Sequence, residues 1–390
     1  MRLKWTTLCL LTLPMLLAAC GEEAASPASE LDEGFVDTPD GGVETQDVDQ
    51  EPDPEPVPEP EQVPVVETFD FAATGPWHQC PTSAFPSEVV KVDAFDKTHQ
   101  FFGGEDKRTV EFDVDFPEAG SWSQVGLAFV LECPGGVCDH WDRAGSLQVV
   151  VNPDDPPEDQ VQVELLRHIT PYRVGMCNYV DLTPLAGLLE GRKKLRSFID
   201  TWVGPGHAQG HGWLVSAQFV FTPGENAGAD EVINIWSRRN ITVGEVEPER
   251  NVDSQVEPVT FEIPEGATRV EAHLITTGHS FGNTSNCAEF CMMRHDVIVN
   301  GTVHSVDPWR GDCAQNPVSP QFGTWEYNRN GWCPGAVALG DIIDITGAVT
   351  PGENTLDFGI LMANGDEYDN LSPVDLLPYT IVSLKLYVYR

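Results

Sequence analysis

Basic residues are scarce in this chain: 22 Lys and Arg stand against 61 Asp and Glu, a formal net charge of -39. So acidic a surface repels a phosphate backbone, which excludes nucleic acid as a partner. Long apolar runs are missing as well. Beyond the first twenty residues no segment reaches the roughly 20 consecutive apolar positions of a membrane-spanning helix. Helical periodicity is almost absent, confined to a short piece around Leu182 to Leu189, and this argues against bundles and alternating α/β folds. There is no Gly-x-Ser-x-Gly elbow, phosphate loop or dinucleotide fingerprint, so those nucleophile and nucleotide sites are excluded.

What is present starts with Arg2 and Lys4, an apolar run from Leu8 to Leu17, and then Leu17-Ala18-Ala19-Cys20. That pattern predicts a signal peptide over residues 1–20 ending in a lipobox, with Cys20 becoming an acylated N-terminus. Gly21, where aspartate would favour retention at an inner membrane, points to an outer membrane or cell surface. Residues 21–66 contain no Lys or Arg, while 15 Asp and Glu alternate with prolines. Such a segment cannot bury a core and is expected to be a disordered acidic tether, about 100 Å long at roughly 3 Å per residue.

The remaining chain alternates apolar and polar residues with period two. Val110, Phe112, Val114 and Phe116 do so, as does Ile381 to Tyr389, and further runs occur at Val161 to Leu166, Leu214 to Phe221, Arg269 to Thr276 and Asp296 to Asn300. Many short, half-buried strands with few helices predict an all-β protein of sandwich or jelly-roll type. A Gly- and Pro-containing break at Thr222 to Ala229 divides it into halves, 67–225 and 226–390.

Cys9 leaves with the signal, so eight cysteines remain besides Cys20: Cys80, Cys133, Cys138, Cys177, Cys287, Cys291, Cys313 and Cys333. The close spacings Cys133 to Cys138 and Cys287 to Cys291 would suit zinc. Export into an oxidising compartment favours four disulfides instead, with the pairing left open by the count. His207 and His211 also have ligand-like spacing, but their Gly-rich loop offers no clear third ligand.

Three stretches carry candidate chemistry. Cys138-Asp-His-Trp141-Asp142-Arg143 and Asp200-Thr-Trp202 each set an acid beside an indole, and Cys287-Ala-Glu289-Phe-Cys291 holds one inside a short cysteine loop. An indole excludes water from its neighbouring carboxyl, raising its pKa, and offers a flat face to a sugar ring. The bland alternative is that Asp142 and Arg143 form a structural ion pair and the tryptophans are core.

Taken together with Ala94-Phe-Asp-Lys97, Glu132-Cys133, Ile169-Thr-Pro-Tyr172 and Asn328-Arg-Asn-Gly-Trp-Cys-Pro-Gly335, these stretches resemble the peptide:N-glycosidase F family across nearly the whole ectodomain. The resemblance implies two side-by-side antiparallel jelly-roll sandwiches with a site in the cleft between them. It implies an amidase that cuts the bond between asparagine and N-acetylglucosamine in N-linked glycoproteins or glycopeptides, with no cofactor and as a monomer. Asp142 matches the family's principal acid, Glu289 a second and Asp200 a third that is usually Glu. Trp141, Arg143, Trp202, His279 and Arg329 fall at substrate-binding positions, and Thr277 stands where the family has a tryptophan. Cys133–Cys138, Cys287–Cys291 and Cys313–Cys333 are the implied disulfides, leaving Cys80 for Cys177. A surface lipoprotein that binds glycans or glycopeptides with little or no turnover is the alternative. A copper monooxygenase on paired jelly rolls would need His and Met ligands that these acids do not supply.

Overall fold

The structure, a computed structural model, describes residues 66–118, 120–243, 252–280, 287–368 and 378–390. Cys20 and the expected tether therefore lie outside the described residues, apart from Val66. The described chain is built from antiparallel strands with short 3-10 turns, one at Thr183–Leu188 where the helical pattern was read.

The first sandwich pairs a sheet in the order Val90–Gln100, Trp213–Pro223, Trp122–Glu132, Met176–Asp181 with one running Ala336–Val337, Gln162–Ile169, Ala144–Val150, Arg192–Ile199, Thr109–Asp115. Alternate residues Val125, Leu127, Phe129 and Leu131 point into the first core, as period two requires. The second sandwich sets Val259–Ile263, Gly352–Met362, Met293–Val299, Thr302–Val306 against Asp341–Asp344, Arg269–His279, Tyr379–Tyr389, Glu231–Thr242. Its core is separate from the first.

The C-terminal strand departs from the half-buried expectation. Val382, Leu384, Leu386 and Val388 enter the second core, but the alternate residues Ile381, Ser383, Lys385 and Tyr387 are buried too. They face the first sandwich, so this strand is covered on both sides. Charges caught in that seam need partners. Arg167 grips Glu164 with Nη2 and Nε at 2.6 and 3.0 Å and donates to the Ile381 carbonyl at 2.5 Å, while Lys385 Nζ reaches the Glu164 carbonyl at 2.9 Å. Ala336–Val337, from the second half of the sequence, adds a strand to the first sandwich beside Gln162–Ile169. The two sandwiches are thus joined by charge pairs and backbone as well as by apolar contact.

Three disulfides form: Cys80–Cys177, Cys133–Cys138 and Cys313–Cys333. The first ties the segment before Val90 to the strand Met176–Asp181. The fourth expected bridge is not formed. Cys287 and Cys291 stand as thiols whose side chains hydrogen-bond each other. The turn between them sets Ala288 in the left-handed region at φ 75° and presses its carbonyl against Gly278, where a Cβ would lie 1.8 Å from that oxygen. Packing against the neighbouring strand, not a covalent staple, holds this loop in place.

Candidate active site

Asp142 sits at the end of a loop whose course is set by a buried acid four residues earlier in the same fold corner. The turn Pro134–Gly136 needs positive φ at Gly135 and Gly136, and the Cys133–Cys138 bridge closes it. Asp139, fully buried, then accepts from the Trp141 amide at 3.1 Å, Arg143 Nε at 3.0 Å and Thr201 Oγ1 at 2.7 Å. These bonds pin residues 139–143 and turn Trp141 outward, where 47% of it is exposed. Asp142 turns inward. Arg143 therefore pairs with Asp139, and the structural ion pair Asp142–Arg143 considered above does not occur.

Two donors reach Asp142 Oδ2 instead: the Tyr172 hydroxyl at 2.6 Å and Arg329 Nη2 at 3.5 Å. Arg329 lies in the short strand Arg329–Asn330 and is wholly buried. Its Nε donates to Glu289 Oε1 at 3.2 Å, its Nη1 to the Tyr327 carbonyl at 2.6 Å and its Nη2 also to Thr324 Oγ1 at 3.0 Å. The guanidinium plane stacks over Trp332 and Phe290 at 4.8 and 5.0 Å. Its fork thus bridges one acid from the first sandwich and one from the loops of the second.

Both acids hold their protons more tightly than free carboxyls do. Burial raises Asp142, against the Tyr172 bond and the Arg329 charge. Glu289 is pushed up to about 7, by burial first and by the negative charge of Asp142 second, with Arg329 opposing. Two carboxyls that share one cation and resist double ionisation can give and take a proton near neutrality.

Asp200 is not brought into this pair. Its carboxyl is 42% exposed and lies 3.6 Å from Arg108 Nη1. Arg108 is itself held by a two-point contact with Asp106 at 2.9 and 2.6 Å, between the rings of Phe102 and Trp202 at 4.7 and 4.4 Å. That clamp fixes Trp202, 51% exposed, as an open aromatic face. An exposed carboxylate on an arginine suits ligand contact better than proton exchange. Asp200→Asn is accordingly expected to lower a cleavage rate by less than about tenfold, below the range for loss of a proton-transferring group; a loss as large as that for Asp142→Asn in parallel turnover assays would return Asp200 to the acid set.

Two substrate-binding expectations are corrected. His279 is buried, stacked between Trp332 and Tyr379 at 5.5 and 5.3 Å, with Nε2 2.8 Å from Thr277 Oγ1, and burial lowers it to about 3. It supports the cleft floor as a neutral ring. Arg329, equally buried, holds the acids rather than a ligand. Tyr172, Asp139 and Thr324 were not singled out from the sequence as site residues. Only the position of Tyr172 inside a shared motif hinted at its place, because the partner Asp142 lies thirty residues away along the chain.

The model of the C-terminal domain of peptide-N-glycosidase F matches residues 248–374, so it takes in Glu289 and Arg329. The chain is also 26% identical over 275 residues to the peptide-N(4)-(N-acetyl-beta-D-glucosaminyl)asparagine amidase F of Elizabethkingia miricola, covering 66% of this chain and 73% of that protein. It belongs to the peptide-N-glycosidase F family. Solved structures of that family share the fold. PNGase F, a glycosylasparaginase from Flavobacterium meningosepticum, superposes with a TM-score of 0.66 at 20% identity, covering 77% of this chain and 96% of its own. A recombinant peptide:N-glycanase F gives 0.65 at 19% identity, with 78% and 96% covered. Within this family fold, the second-sandwich loops bring Glu289 and Arg329 to the loop of Asp142 in the first.

Proposed function

We propose that this chain is an N-glycan amidase, hydrolysing the bond between an asparagine side chain and N-acetylglucosamine. The observation that carries the reading is the Asp142–Arg329–Glu289 bridge, two raised carboxyls on one buried guanidinium, beside the exposed indoles of Trp141 and Trp202. Family membership supports the substrate class.

In the proposed reaction a water oxygen bonds to the amide carbon, the carbon–nitrogen bond breaks, and the products are aspartate and a glycosylamine. Asp142 receives the donors from both Tyr172 and Arg329, so it is the better-stabilised anion and takes the proton from the water. Glu289 remains protonated until about pH 7 and supplies a proton to the leaving nitrogen. Buried Arg329 keeps the two carboxyls at fixed separation without contacting the sugar.

The pH dependence follows from the direction of these shifts. With Glu289 raised to about 7, its acid form is lost as pH rises through that value, so kcat is expected to fall on the alkaline side with an apparent pKa near 7. Glu289→Gln is expected to remove that limb. A rate profile flat from neutrality to pH 9 would contradict Glu289 as the acid.

The lipobox at Cys20 and the acidic segment after it support a lipid-anchored protein acting at a cell surface. Incubating the full chain with an N-glycosylated peptide and following the peptide mass tests the activity. Conversion of Asn to Asp with release of the glycan is the expected result. Retention of the intact glycopeptide in a stable complex would instead favour a binding protein.

A further inference from the structure

One cation in the seam between the sandwiches is left without a carboxylate. Along the paired strands Glu231–Thr242 and Tyr379–Tyr389, Val382 stands opposite Arg239 and Leu384 opposite Trp236, so Ser237 and Arg238 together face the single Ser383. That is a β-bulge, a device that re-aims a side chain out of the regular alternation. Arg238 takes the left-handed conformation, φ 54°, which is costly for a residue with a Cβ and persists only where its surroundings enforce it. Its amide donates to Ser383 Oγ at 2.7 Å, which locks the bulge.

The side chain so directed lies flat over Phe198, 4.6 Å from the ring centre, and Nη1 donates to Ser146 Oγ at 2.9 Å. Its Nε is enclosed and has no acceptor, and Nη2 has none among the described residues. Glu164, the nearest buried acid in the seam, is already held by Arg167 and Ser383. Phe198 belongs to the strand that runs directly into Asp200. The charges of Asp200 and Arg238 act on each other, and Asp200, Glu289 and Arg238 all act on Tyr379. Arg238 therefore sits on the floor of the cleft, between the Asp200 side and the Glu289 side, with one donor edge unused.

A buried donor without a partner is expensive, and such groups in folded proteins are normally completed by water or by a ligand. We propose that Arg238 is a specificity residue whose Nε–Nη2 edge binds a neutral carbonyl oxygen of the ligand, the acetamido carbonyl of the sugar next to the scissile bond. The identity of that sugar rests on the amidase reading above. Neutrality of the acceptor follows from the surroundings: Asp200, Glu289 and Glu164 flank the site and the chain carries a formal charge of -39, so an anionic substituent would be repelled.

The test uses the full chain and two simple probes, methyl N-acetyl-β-glucosaminide and methyl β-glucoside, which differ only in the acetamido group. Binding is followed by ligand-observed NMR titration, independently of turnover. The parent is expected to prefer the acetamido sugar by roughly tenfold or more, the value of a hydrogen bond to a charged donor. Arg238→Met is expected to abolish most of that preference while leaving the glucoside affinity unchanged. Arg238→Lys, which keeps the charge but loses the planar edge, is expected to fall between them, and it serves if the methionine variant does not fold. An unchanged preference in either folded variant overturns the proposal, as does an equal loss for both sugars, which would make Arg238 part of the wall. A parent that cleaves glycopeptide but does not discriminate the probes overturns this inference alone. A parent that neither cleaves glycopeptide nor binds the acetamido sugar overturns the amidase reading with it.

Discussion

Asp142→Asn is expected to fold normally, bind glycopeptide about as well as the parent, and lose roughly a hundredfold to ten-thousandfold in kcat. The amide keeps the size of the carboxyl and can still accept from Tyr172 and Arg329 at the Oδ2 position, so the loop pinned by Asp139 has no reason to move. What it loses is the charge and the ability to take a proton, and proton transfer by a positioned group is worth about that range. The measurement pairs single-turnover cleavage with thermal unfolding on one preparation. A near-normal rate in a well-folded variant would end the assignment of Asp142 as the base. A normal rate per folded molecule with a lowered melting temperature would make it a structural partner of Arg329.

Arg329→Met is expected to be the most destabilising single change in the site. The methionine stem can still pack against Trp332 and Phe290, but Asp142 and Glu289 are left as neighbouring buried acids without a cation. Removing one partner from a buried ion pair costs about 3–5 kcal/mol. The cost has a defined pH dependence. Arg329 lowers both acids, so its loss raises them further. A carboxyl whose folded pKa lies above its unfolded value supports folding below the unfolded pKa, and that support disappears as pH rises through the folded one. Glu289 already stands at about 7 against an ordinary 4.5. The stability gap between variant and parent should therefore be widest above pH 7 and narrow steadily toward pH 5, where protonated acids no longer need the guanidinium. Denaturant melts at several pH values measure this directly. A gap independent of pH would show that Arg329 acts through its stacking on Trp332 and Phe290, not through its charge.

The same residues show why only part of the site was legible along the chain. An acid beside an indole is a local feature, and Asp142 with Trp141 and Asp200 with Trp202 could be picked out from neighbours alone. Their different standing could not. Asp142 is raised because Tyr172, Thr324 and Arg329 close over it from distant segments, whereas Asp200 stays open on Arg108. His279 and Arg329 were read as ligand contacts because polar residues at a cleft position suggest that role. Burial between Trp332 and Tyr379, or beneath two carboxyls, removes them from a ligand's reach. The loop of Cys287 and Cys291 read as a bridge because two cysteines four residues apart in an exported chain usually pair, and here the approach of Ala288 to Gly278 shapes the turn instead.

By itself the sequence determined the all-β class, since alternation with period two needs no partner to be visible, and it determined the acidic balance and the candidate acids, which are properties of composition and near neighbours. Only the tertiary structure decided that the C-terminal strand is covered on both faces, that one buried guanidinium joins acids 147 residues apart, Asp142 and Glu289, and that a bulge turns Arg238 into the cleft. The physical reason is that burial and pairing depend on what lies across a gap in space, and the free energy that raises a carboxyl or orphans a guanidinium is set there, not by the residues on either side in the chain.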